Sequence, residues 1–175
     1  MKILNVLLFF LVYNCIKVYS QADSSNTVSL VDYVNPLVGS DSAHELSNGN
    51  TYPAIATPWG MNFWTPQTGK MGNGWGYTYD AYKIRGFKQT HQPSPWINDY
   101  AAFSLFPETG KLEINEVKRA SWFSHKAEIS KPHYYKVYLA DYDVTTEIVP
   151  TERGAQFQFT FPKTDKAHIL VDGFF

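Results

Sequence analysis

Short segments in which apolar and polar residues alternate constrain the fold of this chain more than any other feature. The clearest is residues 156–161 (QFQFTF), which place Phe157, Phe159 and Phe161 on one face of a β-strand. No stretch keeps a 3.6-residue apolar period over three turns. The 11 Gly and 10 Pro supply frequent turns between short strands. The pattern therefore predicts an all-β fold, an antiparallel β-sandwich.

The predicted strands lie mainly in the second half of the chain. They are residues 100–106, 111–117, 134–140, 142–149, 156–161 and 167–172, with a turn at 107–110 (PETG) between the first two. Trp59 and Trp64 belong to an earlier alternating run and are predicted to fill the core. The last strand is expected to be buried. Because Phe174 and Phe175 follow it directly, we expect the domain to continue beyond residue 175; the alternative is that both rings fold back into the core.

Composition and motifs exclude several classes of function. Basic and acidic residues nearly cancel, 15 against 16, so nothing favours binding to a nucleic-acid backbone. The sequence contains no Walker A loop, no dinucleotide-binding glycine motif, no H-E-x-x-H zinc motif and no G-x-S-x-G nucleophile elbow. Its single cysteine, Cys15, lies in the N-terminal leader, which excludes thiol catalysis and Cys-ligated zinc in the domain.

The first 20 residues have the features of a secretory signal peptide. Lys2 precedes an apolar run at residues 3–12, and Val18 and Ser20 supply small residues at the −3 and −1 positions of a cleavage site near Ser20/Gln21. The run is shorter than the roughly 20 residues that a membrane span needs. We favour simple export over a lipoprotein acylated at Cys15, because Asn14 stands where a small residue is required. The predicted organisation is a signal peptide at 1–20, a polar spacer at 21–28 and a β-sandwich domain at 29–175.

The segment between residues 50 and 100 combines aromatic rings with amide and carboxylate side chains. It carries Trp59, Trp64, Trp75 and Trp96, together with Tyr77, Tyr79 and Tyr82. An aromatic ring packs on the C–H face of a pyranose, and planar polar groups bind its hydroxyls. Turn residues surround Trp75 and Trp96, so each is either an exposed sugar contact or a core residue. Composition thus indicates carbohydrate binding.

Several short motifs follow one another along the chain: Asn35-Pro36-Leu37-Val38-Gly39, Asn50-Thr51-Tyr52-Pro53, Pro58-Trp59-Gly60-Met61, Gly76-Tyr77-Thr78-Tyr79, Gly86-Phe87 with Thr90-His91, Phe123-Ser124-His125 with Glu128, and Pro132-His133-Tyr134-Tyr135. In this order they resemble the motifs of glycoside hydrolase family 92, the bacterial exo-α-mannosidases. The resemblance runs from about residue 32 to the end. The chain departs from the family pattern at Ala54, at His133 and in the loop 92–96 (QPSPW). The loop is expected to shape the pocket entrance, and therefore the linkage or leaving-group specificity, without changing the fold.

The resemblance implies a galactose-mutarotase-like N-terminal β-sandwich followed by a much longer (α/α)₆ barrel, in an inverting, Ca²⁺-dependent enzyme acting on mannose-containing glycans. The implied general acid, general base and most Ca²⁺ ligands lie in the barrel. We therefore assign no catalytic residue and no metal ligand here, and expect the chain to be inactive alone. Ordinary turn and surface carboxylates explain Asp41, Asp80, Asp99 and Glu128.

The family's N-terminal domain is implied to contribute loops to the sugar pocket. The matched loops nominate Asn50, Tyr77, His91 and Asp99 as substrate-binding residues, and physical reasoning adds Trp75 and Trp96. His91 could equally hydrogen-bond a backbone carbonyl. His125 and Glu128 are predicted to be structural. The alternative from another class of protein is a stand-alone carbohydrate-binding module that uses the same loops without catalysis; the reading frame after residue 175 distinguishes the two.

Overall fold

The computed structural model describes residues 29–41, 51–69, 76–90 and 103–173. The chain divides into two compact units, Met1–Leu30, of which residues 29 and 30 are described, and Val31–Phe175. The described residues form a 3₁₀ helix at Leu30–Tyr33, a short α-helix, α1, at Glu116–Arg119, and ten β-strands. No helix in these ranges is long and apolar enough to cross a membrane.

The ten strands form two four-stranded antiparallel sheets and one two-stranded sheet. The first sheet has the order β1-β3-β4-β10, with β1 at Phe63–Gln67, β3 at Gly86–Thr90, β4 at Phe103–Thr109 and β10 at Ala167–Gly173. The second has the order β6-β7-β8-β9, with β6 at Ile129–Lys131, β7 at Tyr134–Leu139, β8 at Val144–Pro150 and β9 at Ala155–Thr160. The small sheet pairs β2 (Lys83–Ile84) with β5 (Ser121–Trp122).

Aromatic rings pack the two large sheets face to face. The Phe87 ring on β3 lies 6.3 Å from the ring of Tyr135 on β7 and 6.4 Å from that of Phe157 on β9. Trp64 on β1 meets Phe157 edge to face, with ring centroids 4.7 Å apart. Smaller apolar residues complete the core: Ile55, Ile84, Val137, Leu139 and Ile148. The predicted antiparallel β-sandwich is confirmed.

Period-two alternation locates the later strands well. The predicted strands at 134–140, 142–149, 156–161 and 167–172 correspond to β7, β8, β9 and β10 with ends shifted by at most two residues. In β9, Phe157 and Phe159 are half-buried while Gln156 and Gln158 are exposed. Alternation of apolar and polar residues is enough to locate these strands, because each of them has one face on the core.

The predicted turn at residues 107–110 is wrong, because β4 continues to Thr109 and the chain turns only at Gly110, whose φ is +85°. Pro107 is tolerated inside the strand. Strand β3 pairs with β4 only at Ser104 and Leu105, so at Pro107 the strand has its single neighbour in β10. A strand accommodates the missing N–H where one side is unpaired.

The predicted strand at residues 111–117 is also wrong, because residues 111–115 form no regular structure and α1 begins at Glu116. The Asn115 side chain accepts hydrogen bonds from the amides of Val117 and Lys118, each at 3.1 Å, and so caps the first turn of the helix. β4 pairs instead with β10, more than fifty residues later in the chain. A local capping interaction therefore overrides the alternation of this segment.

The two tryptophans predicted to fill the core differ. Trp64 is 4% exposed, and its indole Nε1 donates to Asn62 Oδ1 at 3.1 Å. Trp59 is 99% exposed and has a positive φ of 61°, so the prediction is wrong for this residue. It lies in a turn closed by the Gly60 amide, which donates to the Thr57 carbonyl at 3.0 Å. Alternation across a turn does not assign faces, because the turn reorients the chain.

The last strand is less buried than predicted. Ile169 is 52% exposed and Val171 is 71% exposed, whereas Leu170 between them packs against the core cluster. Among the described strands, β10 pairs with β4 alone and therefore forms one edge of the first sheet. Its apolar composition indicates burial on both faces, but burial alternates along the strand, because only one face of the sheet packs against the core.

We expect Trp64→Ala to lower the free energy of unfolding by about 3–5 kcal/mol, because it empties a site between the sheets. Trp59→Ala serves as the matched control and should change the free energy of unfolding by no more than about 0.5 kcal/mol. Urea unfolding followed by circular dichroism measures both values. Equal losses for the two variants would contradict the assignment of Trp59 to the surface.

Glu108 gives a pH-dependent prediction. Its side chain lies in β4 and is fully buried, and burial raises its pKa above the usual 4.5, although the Glu113 amide donates to Oε1 at 3.0 Å. Because the folded-state pKa is higher than the unfolded one, the stability contributed by protonated Glu108 is present at low pH and is lost as pH rises through the folded value.

Glu108→Gln removes this titration. Unfolding free energies measured at about pH 4 and about pH 8 should show the variant gaining stability relative to the wild type as pH rises. Glu152→Gln, at an exposed carboxylate, is the control and should show no such trend. If the difference in unfolding free energy between Glu108→Gln and the wild type stays constant or reverses over this range, the fold does not disfavour the ionised form of Glu108.

Candidate functional site

Only one of the six predicted substrate-binding residues lies in the described part of the chain. Asn50, Trp75, His91, Trp96 and Asp99 lie outside the described residues, and their roles stay predictions. Tyr77 is described, in the segment between residue 76 and strand β2. Tyr77 and the residues at the ends of the predicted loops are therefore the described part of the candidate site.

The Tyr77 side chain is buried, with 1% exposure, and belongs to the hydrophobic core cluster. Its hydroxyl donates to the Glu128 carboxylate, with oxygen–oxygen distances of 3.2 and 3.3 Å. Burial in the core raises the Tyr77 pKa well above its usual value, and the negative charge of Glu128 raises it further. Tyr77 is therefore a neutral hydrogen-bond donor whose described contacts are internal to the domain.

The Glu128 carboxylate is the centre of this arrangement. Besides Tyr77, it accepts from the Tyr135 hydroxyl at 2.6 Å and from His125 Nδ1 at 2.7 Å, and its side chain is 1% exposed. Burial, followed by the charge of Glu128, likewise raises the Tyr135 pKa well above the usual 10. We call these four residues, Tyr77, His125, Glu128 and Tyr135, the Glu128 cluster. Three donors converge on one buried acid, so its charge is compensated.

His125 is fixed from several directions. Its Nδ1 faces the Glu128 carboxylate, which accepts only, so Nδ1 carries a proton. The ring stacks on Tyr79 at 4.1 Å with an interplanar angle of 19°, and Phe123 meets it edge to face at 4.8 Å. The other ring nitrogen, Nε2, is buried and has no hydrogen-bond partner among the described residues. The imidazole thus acts here as a packed, oriented plane.

The ends of the segment that carries Trp75 are hydrogen-bonded to each other. The Thr68 amide donates to the Gly76 carbonyl at 2.7 Å, and the Thr78 amide donates to Thr68 Oγ1 at 2.9 Å. The segment of residues 69–75 therefore begins and ends at one place in the domain, directly beside Tyr77.

A further hydrogen bond connects this place to the segment that carries Asn50. The Tyr79 amide donates to the Ser40 carbonyl at 2.9 Å. The Thr51 hydroxyl in turn donates to the Val38 carbonyl at 2.9 Å. Residues 40 and 51, which flank the segment holding Asn50, are therefore joined to the same region as residues 68 and 76.

The prediction that Glu128 is an ordinary turn or surface carboxylate is wrong, because its side chain is 1% exposed and accepts hydrogen bonds from Tyr77, His125 and Tyr135. The sequence reasoning did not foresee that Glu128 and His125 contact Tyr77. The signal was the i,i+3 spacing of a histidine and a glutamate beside a Tyr-Tyr pair, which places one carboxylate within reach of several donors. Two tyrosines of the aromatic segment lie exposed beside the cluster: Tyr79 is 39% and Tyr82 60% exposed, with their rings 4.1 and 6.4 Å from the His125 ring.

The described residues do not fit a metal centre. In residues 29–41, 51–69, 76–90 and 103–173, no group of three or more His, Cys, Asp or Glu side chains is placed to hold a metal ion. Ca²⁺ requires about six to eight oxygen ligands, and the one fully buried carboxylate of the cluster is occupied by three donors.

Sequence comparison identifies a domain across nearly the whole described region. The profile of the glycosyl hydrolase family 92 N-terminal domain matches residues 33–174. No curated protein sequence matches this chain significantly.

Solved structures give a consistent result. The family GH92 inverting mannosidase BT2199 from Bacteroides thetaiotaomicron VPI-5482 is 50% identical over 85% of this chain, with a TM-score of 0.77. The family GH92 α-mannosidase BT3965 from Bacteroides thetaiotaomicron is 34% identical over 82% of the chain, with a TM-score of 0.72. A third glycosyl hydrolase of the family, ccman5, is 24% identical with a TM-score of 0.69 and shows the same fold.

The chain covers only about a fifth of each of these proteins, 20% of BT2199 and 20% of BT3965. The match lies along the described sandwich and includes the elements that carry the Glu128 cluster. The profile match and the sequence identity to solved members show that this chain belongs to glycosyl hydrolase family 92, in the region of its N-terminal domain.

Proposed function

We propose that this chain is the N-terminal, sugar-binding portion of an exported inverting α-mannosidase, which hydrolyses terminal α-linked mannose from glycans. The observation that carries the proposal is the 50% identity, over 85% of the chain, to an inverting mannosidase of the family. The chain spans a fifth of that protein, so we propose the hydrolytic activity for the complete enzyme and not for this chain alone.

The geometry supports a binding role rather than a reacting one. Inversion needs a general acid and a general base on opposite sides of the sugar, about 6.5–9.5 Å apart, with room for water between them. Glu128 is buried and already accepts three hydrogen bonds, so it does not fit either role. Asp41 and Asp80 are exposed. We place the acid–base pair, and the Ca²⁺ of the complete enzyme, in a C-terminal (α/α)₆ domain outside this chain.

The sugar contacts are proposed to come from the segments that flank the described strands. Trp75 and Trp96 would stack on the mannose rings, and Asn50, His91 and Asp99 would bind their hydroxyls. The ends of the segments holding Asn50 and Trp75 are hydrogen-bonded into one region of the sandwich, which supports a shared site. A rigid β-scaffold that presents loops is the usual way to build such a site.

Trp96→Ala tests the binding role. Methyl α-D-mannopyranoside titrated into the chain and followed by NMR should bind the wild type, and the variant should lose about 1–3 kcal/mol of binding free energy with the stacking surface. Trp122→Ala removes an exposed tryptophan of the small sheet and is the matched control, expected to bind as the wild type does.

Two further measurements extend this test: titration with a galactoside, and an activity assay of the longer polypeptide encoded by the complete reading frame. If neither the mannoside nor the galactoside shifts any resonance of the wild type, the binding role fails. If the chain binds mannoside but the polypeptide encoded by the complete reading frame releases no mannose from an α-mannosyl disaccharide, the stand-alone binding module replaces the mannosidase as the function.

Export has its own test. Mass spectrometry of the secreted or periplasmic protein should find an N-terminus near Gln21, unmodified or cyclised to pyroglutamate, because the apolar run at residues 3–12 and the small residues before Gln21 direct cleavage there. Detection of a chain that retains Lys2 would contradict export by a cleaved signal peptide. Acylated Cys15 at the N-terminus would indicate a lipoprotein instead.

A further inference from the structure

We propose that residues 57–61, which we call the Trp59 turn, are a docking point for the C-terminal domain of the complete enzyme. The Trp59 and Met61 side chains insert into an apolar surface of that domain. The inference rests on the proposed function only for the existence of a C-terminal domain. The turn itself lies wholly among the described residues.

The backbone of the Trp59 turn is strained at the tryptophan itself. Trp59 has a φ of 61°, in the left-handed region that bulky residues rarely adopt and that glycine adopts readily. Glycine stands instead at position 60, where an added Cβ would lie 2.9 Å from Thr57 Oγ1. The chain therefore keeps a large side chain at a position whose backbone favours glycine. Strain of this kind is typical of functional sites.

Two backbone hydrogen bonds fix the Trp59 turn to the second sheet. The Met61 amide donates to the Glu152 carbonyl at 2.7 Å, and the Ala56 amide donates to the Pro132 carbonyl at 3.0 Å. Glu152 lies between β8 and β9, and Pro132 lies between β6 and β7. The turn is therefore held by two hairpins of the sandwich. A fixed turn presents its side chains to a partner with little loss of conformational entropy.

The Trp59 turn presents two apolar side chains to solvent. Trp59 is 99% exposed and Met61 is 66% exposed. The neighbouring side-chain oxygens are already withdrawn, because Thr57 Oγ1 is buried and Asn62 Oδ1 accepts from the Trp64 indole. A pyranose needs polar groups for its hydroxyls as well as a ring to stack on, whereas an apolar pocket on a protein needs only the two side chains. The chemistry of the turn therefore favours a protein partner over a sugar.

The register of the first sheet shows where the Trp59 turn lies. Phe63, two residues after Met61, begins β1 and pairs with Thr90, the last residue of β3. β10 ends at Gly173, which pairs with Phe103 at the start of β4. Because β3 and β4 are antiparallel, the start of β1 and the end of β10 lie at the same end of the sheet. They are three strand spacings apart, about 14 Å.

The size of the relatives indicates which protein is the partner. This chain spans 20% of BT2199, so most of a complete family member is polypeptide beyond this sandwich. In the complete enzyme, the polypeptide that follows β10 leaves the first sheet at the end where the Trp59 turn lies. A domain tethered there has a high effective concentration at Trp59. Burial of the indole against that domain would offset the strain of its positive φ.

Hydroxyl-radical footprinting read by mass spectrometry compares this chain with the polypeptide encoded by the complete reading frame. We expect Trp59 and Met61 to be oxidised about tenfold more slowly in the complete polypeptide, because the docked domain excludes water from both side chains. Trp64 is 4% exposed and serves as the reference, with slow oxidation in both polypeptides. Equal rates at Trp59 and Met61 in the two polypeptides would overturn the proposal. Protection that appears in this chain alone at raised concentration would identify a second copy as the partner and would also overturn it.

Trp59→Gly separates docking from folding. Glycine accepts the positive φ, so we expect the melting temperature of this chain to stay at or above the wild-type value. In the complete polypeptide the variant lacks the indole, and Met61 should be oxidised several-fold faster than in the wild type. Trp59→Phe is the matched control, because it keeps the strain and an aromatic ring, and it should leave Met61 protected. A lower melting temperature of the Trp59→Gly chain, or a Met61 that stays protected in the complete variant, would show that the proposal is wrong.

Neither readout uses a sugar, so this proposal and the proposed function fail separately. If Trp59 is protected in a complete polypeptide that releases no mannose, the mannosidase activity is contradicted and the docking stands. If the complete polypeptide releases mannose while Trp59 is oxidised as fast as in this chain, the docking alone is overturned. A reading frame that ends at residue 175 provides no domain to dock and overturns both proposals.

Discussion

Edge-to-face packing of aromatic rings between the two large sheets is the interaction on which the rest of this domain depends. Trp64, Phe87, Tyr135 and Phe157 come from both sheets and meet at centroid distances of 4.7 to 6.4 Å. The sequence has one cysteine, so no intrachain disulfide supplements this core. Burial of these rings therefore stabilises the fold directly, and it also holds in place Tyr135, whose hydroxyl donates to Glu128.

Two buried charged side chains attach irregular segments to this core. Arg119 is fully buried; it donates to Asp172 of β10 at 2.6 Å and to the carbonyls of Arg85 and Ile114 at 3.2 Å. Glu128 accepts from Tyr77 and two other donors. A buried charge is costly unless its partners are in place, so each charge favours one arrangement of the segment bound to it. Arg119 fixes the connection around α1, and Glu128 fixes the segment before β2.

Sequence patterns predicted the fold where burial follows strand geometry. Residues 156–161 alternate perfectly and form β9, because one face of that strand covers the core. The predictions failed where another interaction decided the structure: the Asn115 cap produced a helix, and the turn at Gly60 left Trp59 exposed. Neither effect is periodic, so a periodicity argument does not detect it.

The candidate site was predictable only in part for the same reason. Motif resemblance nominated Tyr77, but only the folded chain shows that its hydroxyl reaches Glu128, 51 residues later in the sequence. A local sequence pattern holds no information on which donor meets which acid at that separation. Charge and burial determine which donors and acid meet. The Glu128 side chain is 1% exposed, and the hydrogen bonds of the converging donors offset the cost of burying its carboxylate.

This arrangement separates two uses of a carboxylate. A general acid or base must exchange its proton with the substrate during each turnover, so one of its oxygens must be free to face the reacting atom. Glu128 has the opposite design, with buried oxygens that accept from Tyr77, His125 and Tyr135. Its contribution is therefore order rather than proton transfer.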